Sequence, residues 1–377
     1  MNEEAAVVNL FFTVRVFVVG SLLLALPRIS RKGLMFGTYV GEEQVEGAGA
    51  RELMRSWDLG SAAVMVVSLT VGCGISLAGR PIPGNLTGTV VLLVASLALY
   101  LWMYGKARRL APPSAAQQAM RSSASLEVDE PRGHGIAKFA LAVCVLGALA
   151  SAVHATSSYG VMPDRIPTLA SLLGYGDEMK DKSIVPVLLI PSFNLVFTSF
   201  FALTGLLILG AKRSVRGGSG GRSAEAQEAF RTTWARLFSG MALFLCLLLT
   251  VTSLNVIRVA QGQVRSGGLS ILLVAVAMIA YIVVNFIRVF TRLGQGGALL
   301  ESGSAEAPLT GGLADDADWI LGVMYVDRND PSLMVESRFL GYTFNLGNRL
   351  ALVILSIFFT ACLGLTGLTL MEIGLFS

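Results

Sequence analysis

Apolar runs of about twenty residues recur along this chain, separated by shorter polar segments. Eight stretches stand out, at 5–26, 60–77, 86–105, 138–158, 184–210, 237–257, 269–288 and 350–370. A helix rises 1.5 Å per residue, so about 20 residues cross a hydrocarbon layer roughly 30 Å thick. The pattern predicts an all-α, polytopic integral membrane helix bundle of about eight transmembrane helices. The link at 78–85 holds two prolines and two glycines and reads as a tight turn. Three polar segments are longer. Residues 106–137 are rich in Ser, Ala and Gln. Residues 211–236 contain RGGSGGR, read as a flexible link, followed by AEAQEAFRTTWARLF, an amphipathic stretch expected to lie on the inner membrane surface. Residues 289–349 form the longest connection.

Charge orients the bundle. Glu3 and Glu4 precede the first run and Arg28, Arg31 and Lys32 follow it, the reverse of a signal peptide. An outside N-terminus puts alternate segments in the cytoplasm. Of the 29 Lys and Arg residues, 22 then lie inside. Six lie outside (Arg80, Arg165, Lys180, Lys182, Arg258 and Arg265), and Arg15 lies within a helix. This is the positive-inside distribution, with both termini outside. Trp57, Trp102 and Trp234 fall near the inner helix ends, where a headgroup-level aromatic belt is expected.

The units that follow are 1–136 with three spans, 137–211 with two spans joined by an outer loop (159–183), and 212–290 with the amphipathic linker and two spans. A cytoplasmic loop, 291–349, carries a motif at 318–347, and 350–377 holds the last span. Composition agrees, with 54% hydrophobic and 14% charged residues against about 25% charged in soluble domains. The bilayer is therefore the first expected partner. Basic residues scattered between apolar runs argue against nucleic acid. Cys73, Cys144, Cys246 and Cys362 lie in four different runs without metal-ligand or redox spacing, so small buried side chains are expected and neither disulfide nor zinc.

Two polar constellations carry the functional expectations. The outer loop, YGVMPDRIPTLASLLGYGDEMKDKS, combines stiffening prolines, turn glycines and dense mixed charge. Met162, Pro163, Asp164, Ile166, Pro167, Thr168, Gly174, Asp177, Lys182 and Ser183 resemble, without a gap, a bacterial domain of unknown function. That domain is found in immunity proteins against a sporulation-delaying toxin. Leu169 stands where that family has histidine, which removes any role the histidine would play. The cytoplasmic segment from Asp318 to Arg349 resembles a second domain of unknown function that often accompanies the first. Its matching residues are Trp319, Gly322, Tyr325, Asp330, Pro331, Val335, Arg338, Gly341, Thr343 and Asn345. Residue chemistry alone suggests a plug docked under the bundle. Trp319 and Tyr325 would pack, Asn329-Asp330-Pro331 would turn, Arg338 would pair with Asp330 or Glu336, and Thr343 or Asn345 would cap the last helix. MFGTYVGEE at 35–43 is a weaker likeness of the same kind. These resemblances cover about a quarter of the chain.

Within the spans, Arg15, His154, Asn194 and Asn255 come from four helices and lie mostly in the outer half. They suggest an outward-open polar cavity beneath the outer loop, with Arg15 as fixed charge and His154 as titratable group. No HExxH, GxSxG, paired intramembrane carboxylates or Walker loop occurs, so no catalytic residue, cofactor or metal is expected. The functional expectation is envelope sensing or immunity towards an extracellular peptide or amphiphile. The alternatives are a small-solute transporter using the polar cavity, or a structural subunit with a membrane-protein partner.

Overall fold

The computed structural model describes residues 3–28, 30, 33–111, 133–167, 179–211, 220–263, 268–301 and 318–372. Among them are eight long helices: α1 Glu3–Ala25, α2 Ala48–Leu77, α3 Pro81–Arg108, α4 His134–Tyr159, α5 Ile184–Leu209, α6 Gly220–Ala260, α7 Gly268–Arg288 and α8 Arg349–Glu372. Helices α2 to α8 are each long and apolar enough to cross a membrane. α1 runs beside α2 and α3, from Phe12 at the level of Gly72 and Gly88 to the Leu23 carbonyl, which accepts a hydrogen bond from Trp57 Nε1 at 2.9 Å. Few strands occur, all in short antiparallel hairpins: β1 Leu34–Met35 with β2 Thr38–Tyr39, β3 Arg165–Pro167 with β4 Met179–Asp181, β5 Trp319–Ile320 with β6 Met324–Tyr325, and β7 Met334–Glu336 with β8 Tyr342–Phe344. The β3–β4 hairpin joins α4 to α5 on one face of the bundle. The other three hairpins lie on the opposite face, which the arginine and lysine distribution makes the inner one.

The helices sort into two groups. In the first, α1, α2 and α3 pack together, and in the second α6 and α5 pack on α4 while α7 lies on α6 and α8 on α5. The first group closes through small residues. A methyl at Gly84 would fall 2.5 Å from the Gly72 carbonyl oxygen, and one at Gly88 would fall 2.9 Å from Gly72 Cα. Ser68 Oγ donates to the Gly88 carbonyl at 2.7 Å. Small side chains let the backbones approach, and dispersion and short hydrogen bonds then hold helices that lipid cannot drive together. In the second group Phe358 of α8 stacks on Phe200 of α5 (ring centroids 3.8 Å apart) and meets Phe197 edge-on at 5.6 Å.

Two helices depart from the sequence expectation in the same way. α2 begins at Ala48 rather than 60, and α6 begins at Gly220 rather than 237, so the amphipathic stretch is the first part of one 41-residue helix. At 1.5 Å per residue, α6 is about 60 Å long, twice the hydrocarbon thickness. The stretch does not lie on the membrane surface. Phe230, Arg231 and Trp234 are buried within the protein, and Arg231 pairs with Glu228 one turn back. The last three residues of RGGSGGR are helical; residues 212–219 lie outside the described set. Trp57 and Trp234 are likewise not belt residues, being 0% and 4% exposed. Trp102 is exposed, with the Lys106 ammonium 3.7 Å from its ring centroid.

Candidate functional site

The inner plug begins as two hairpin tips that meet. Phe36 and Gly37 turn β1 into β2, both with positive φ (46° and 76°), the backbone that a two-residue hairpin of the right twist requires. Leu321 and Gly322 turn β5 towards β6 with φ of 54° and 71°. A methyl on Gly37 would fall 2.5 Å from the Gly322 carbonyl oxygen, and one on Gly322 would fall 2.8 Å from Gly37 Cα. Glycine is therefore required here twice over, by dihedral angle and by contact. The Tyr100 hydroxyl of α3 lies 2.8 Å from the Leu321 carbonyl oxygen and 3.2 Å from that of Phe36, so it holds both tips.

Arg338 fastens the same junction. Its guanidinium is 1% exposed, donates from Nη1 to the Gly37 carbonyl at 2.6 Å, and lies 4.9 Å from the centroid of Trp319. Trp319 in turn packs against Tyr325 at 5.3 Å. The Tyr325 hydroxyl reaches Asp330 Oδ2 at 3.2 Å and Asp327 Oδ2 at 3.4 Å. Burial, then the charges of Asp330 and Asp327, raise its pKa well above the ordinary phenol value.

Asn345 is the hub of the loop. It is fully buried. Its Oδ1 accepts from the backbone N–H of Asp327 (3.1 Å) and Gly347 (2.9 Å), and its Nδ2 donates to the carbonyls of Asp327, Asp330 and Ser332 at 2.9 to 3.2 Å. One amide thus satisfies five backbone groups of a segment with little regular structure of its own. Asp330 Oδ1 accepts from Ser332 N–H at 2.9 Å across Pro331, which forms the expected turn. Neither Thr343 nor Asn345 caps α8. Thr343 pairs with Val335 between β7 and β8, and the cap is Asn348, whose Oδ1 accepts from Leu350 N–H at 2.9 Å.

The loop from Ser337 to Gly341 joins the two helix groups. Phe339 packs in a cluster with Phe36, Trp57 and Met103 of the first group. Gly341, with φ of 68°, lies against Trp234 of α6, where a methyl would come within 3.1 Å of the indole. Leu340 touches both clusters. Met334 and Tyr342 add to the second cluster, with Tyr342 and Phe230 ring centroids 5.8 Å apart.

On the outer face, Thr168, Leu169, Gly174 and Asp177 lie outside the described residues. Of the rest, Pro163 and Asp164 are exposed, and Pro167 ends β3 paired with Met179. Lys182 closes the base of the hairpin. Its ammonium donates to the Met162 carbonyl at 2.9 Å and lies 4.6 Å from the Tyr159 ring centroid, and its N–H donates to the Asp164 carbonyl at 2.7 Å. Ser183 then caps α5 by accepting from Val185 N–H at 3.3 Å. Lys180 reaches across to the end of α8, donating to Glu372 Oε2 at 3.2 Å and to its carbonyl at 3.1 Å. The sequence reading missed this pair because nothing local connects residues 192 positions apart.

The four intramembrane polar residues do not line one cavity. Arg15 donates to the Thr89 hydroxyl and, at 3.5 Å, to the Asn85 carbonyl, both on α3 in the first group. Asn194 is 0% exposed in the second group, donating to Thr250 Oγ1 at 3.1 Å on α6. Asn255 donates to Ser270 Oγ at 2.8 Å, joining α6 to α7. His154 is exposed on α4. Arg15, Asn194 and Asn255 each serve their own helix pair, because a span flanked by lipid must satisfy its polar groups on its immediate neighbours. Cys144 and Cys246 are buried, with Cys246 Sγ 3.9 Å from the Cys144 carbonyl oxygen, and all four cysteines are free thiols. Among the described residues no group of three or more His, Cys, Asp and Glu side chains could hold a metal ion.

Compared with protein-family models, curated proteins and solved structures, this chain matches none.

Proposed function

We propose that this protein is an envelope sensor or immunity protein of a bacterial cytoplasmic membrane. An extracellular peptide or amphiphile engages the outer hairpin, and the inner plug reports that event to a membrane-protein or cytoplasmic partner. One observation carries the reading. α8 touches both functional segments directly, with its last residue, Glu372, ion-paired to Lys180 of the outer hairpin, and its first turn capped by Asn348, three residues after the Asn345 hub. At 24 residues it is about 36 Å of continuous helix. A rigid rod held at both ends passes a displacement from one face to the other without a channel through the bundle. Phe344 of the plug and Phe358 of α8 both stack on Phe200 of α5, so rod and plug share a support.

The shared cavity that motivated a transporter lacks support, because Arg15 and Asn194 serve different helix pairs. The resemblance to immunity proteins supports the choice of ligand class, while the leucine at position 169 argues against chemistry there.

The test uses the full-length protein in nanodiscs, titrated with a panel of membrane-active peptides while amide exchange is followed by mass spectrometry. The reading predicts that at least one peptide protects residues 160–183 and changes exchange in 319–345 together. Protection of neither segment by any peptide, or of the outer hairpin alone, would reject it.

A further inference from the structure

At the inner end of α6 and α7 we infer a binding site for the phosphate of an anionic phospholipid headgroup. Three arginines lie there, Arg236 on α6, Arg288 at the end of α7 and Arg292 in the turn that follows. All three are exposed, and none forms an ion pair among the described residues. No balancing carboxylate is near in sequence, because the chain has no Asp or Glu from 229 to 300.

Tyr281 fixes the two helices in register beneath this charge. Its hydroxyl donates to the Arg236 carbonyl at 2.8 Å, and its ring crosses α6 at Gly240, where a methyl would collide with the phenol. Phe244 backs the ring at 5.2 Å. Arg288 follows Tyr281 by seven residues, about two turns along the same face, and Arg236 and Arg288 both lie within electrostatic reach of its hydroxyl. The sequence then continues through a wide turn, Val289–Leu293, that carries Arg292.

The surroundings distinguish a lipid from a soluble anion. None of residues 269–288 is buried, and among the described long helices α7 packs chiefly on α6. Leu273, Val276, Ile279, Val283 and Ile287 present an exposed apolar surface along the same helix. Acyl chains lie on that surface while the guanidiniums take the phosphate, each offering paired donors to its oxygens. Basic clusters at the cytoplasmic ends of helices suit anionic headgroups for this reason.

The experiment is a lipid titration of the full-length protein read by native mass spectrometry. Phosphatidylglycerol should bind more than ~10-fold tighter than phosphatidylcholine. The double substitution Arg288→Gln/Arg292→Gln should weaken phosphatidylglycerol about 25-fold, from about a fivefold loss per arginine. Arg288→Lys/Arg292→Lys should stay within a few-fold of wild type, and Arg258→Gln at the opposite end of α6 should change nothing. Equal retention of the two lipids, or an unchanged affinity in the glutamine variant, overturns the site. So does its occupation by inorganic phosphate as readily as by the lipid. Loss in the lysine variant as large as in the glutamine variant also overturns it, since the substitutions would then act through folding.

Discussion

Arg338 and the Gly37–Gly322 contact decide whether the plug exists as a folded unit. The guanidinium is buried, bonds the carbonyl of the opposing hairpin and lies over Trp319. A hydrogen bond from a charged group contributes about 1.5–3 kcal/mol, and the ring contact adds to it. Arg338→Ala should therefore destabilise the protein by about 3 kcal/mol in reversible unfolding, and Arg338→Lys should recover less than half, because an ammonium lacks the planar donor set. A loss below about 0.5 kcal/mol, the range of an ordinary surface change, would contradict this placement. Tyr325 gives the plug a pH dependence. With the native phenol pKa raised by burial and by Asp330 and Asp327, its contribution is complete below the unfolded-state value of about 10 and declines as pH rises from there towards the native value. Between pH 8 and 11, wild type should lose stability more steeply than Tyr325→Phe, and parallel curves would exclude the effect. Much of this site was legible in the sequence. Trp319 does pack on Tyr325, and Asn329-Asp330-Pro331 does turn. What the sequence could not supply was one acceptor of Arg338, a backbone carbonyl 301 positions away, since carbonyls carry no signature of residue type.

At the scale of elements, hydropathy located each span to within a few residues at most ends and failed at two. Both failures are inner extensions, of α2 and of α6, where helix continues into water-facing sequence. Hydropathy measures the match to lipid, and one face of each extension is buried by protein instead. Trp57 and Trp234 look interfacial in sequence for the same reason: a tryptophan near a membrane boundary looks the same whether it meets headgroups or the plug. The extension of α6 can be tested by a helix break. Thr233→Pro removes a backbone donor and forces a clash inside a continuous helix, at about 3 kcal/mol. The unfolding midpoint of the whole protein should fall accordingly. A detached surface helix would tolerate the change, so an unaltered midpoint would restore the surface-lying arrangement.

Taken as a whole, the molecule is two helix groups joined at their inner face by the Ser337–Gly341 loop, with Phe339 seated in one group and Gly341 against the other. The sidedness rests on charge alternation, which depends only on which loops carry arginine and lysine. The division into groups was not legible, since each polar residue within a span reads alike whether its partner is one helix away or across the bundle. That is why Arg15 and Asn194 looked like neighbours. The central claim is that α8 couples the outer hairpin to the inner plug, and the Lys180–Glu372 pair is its outer fastening. The direct measurement is amide exchange of the reconstituted protein with Lys180→Glu, and with the exchanged pair Lys180→Glu/Glu372→Lys. A partly exposed pair contributes up to about 1 kcal/mol, or about fivefold in a local opening equilibrium. The account predicts exchange two- to fivefold faster in residues 334–345 of the single variant and a return to wild-type rates in the exchanged pair. Faster exchange confined to residues 160–183 and the last turn of α8, with the plug unchanged, would contradict it.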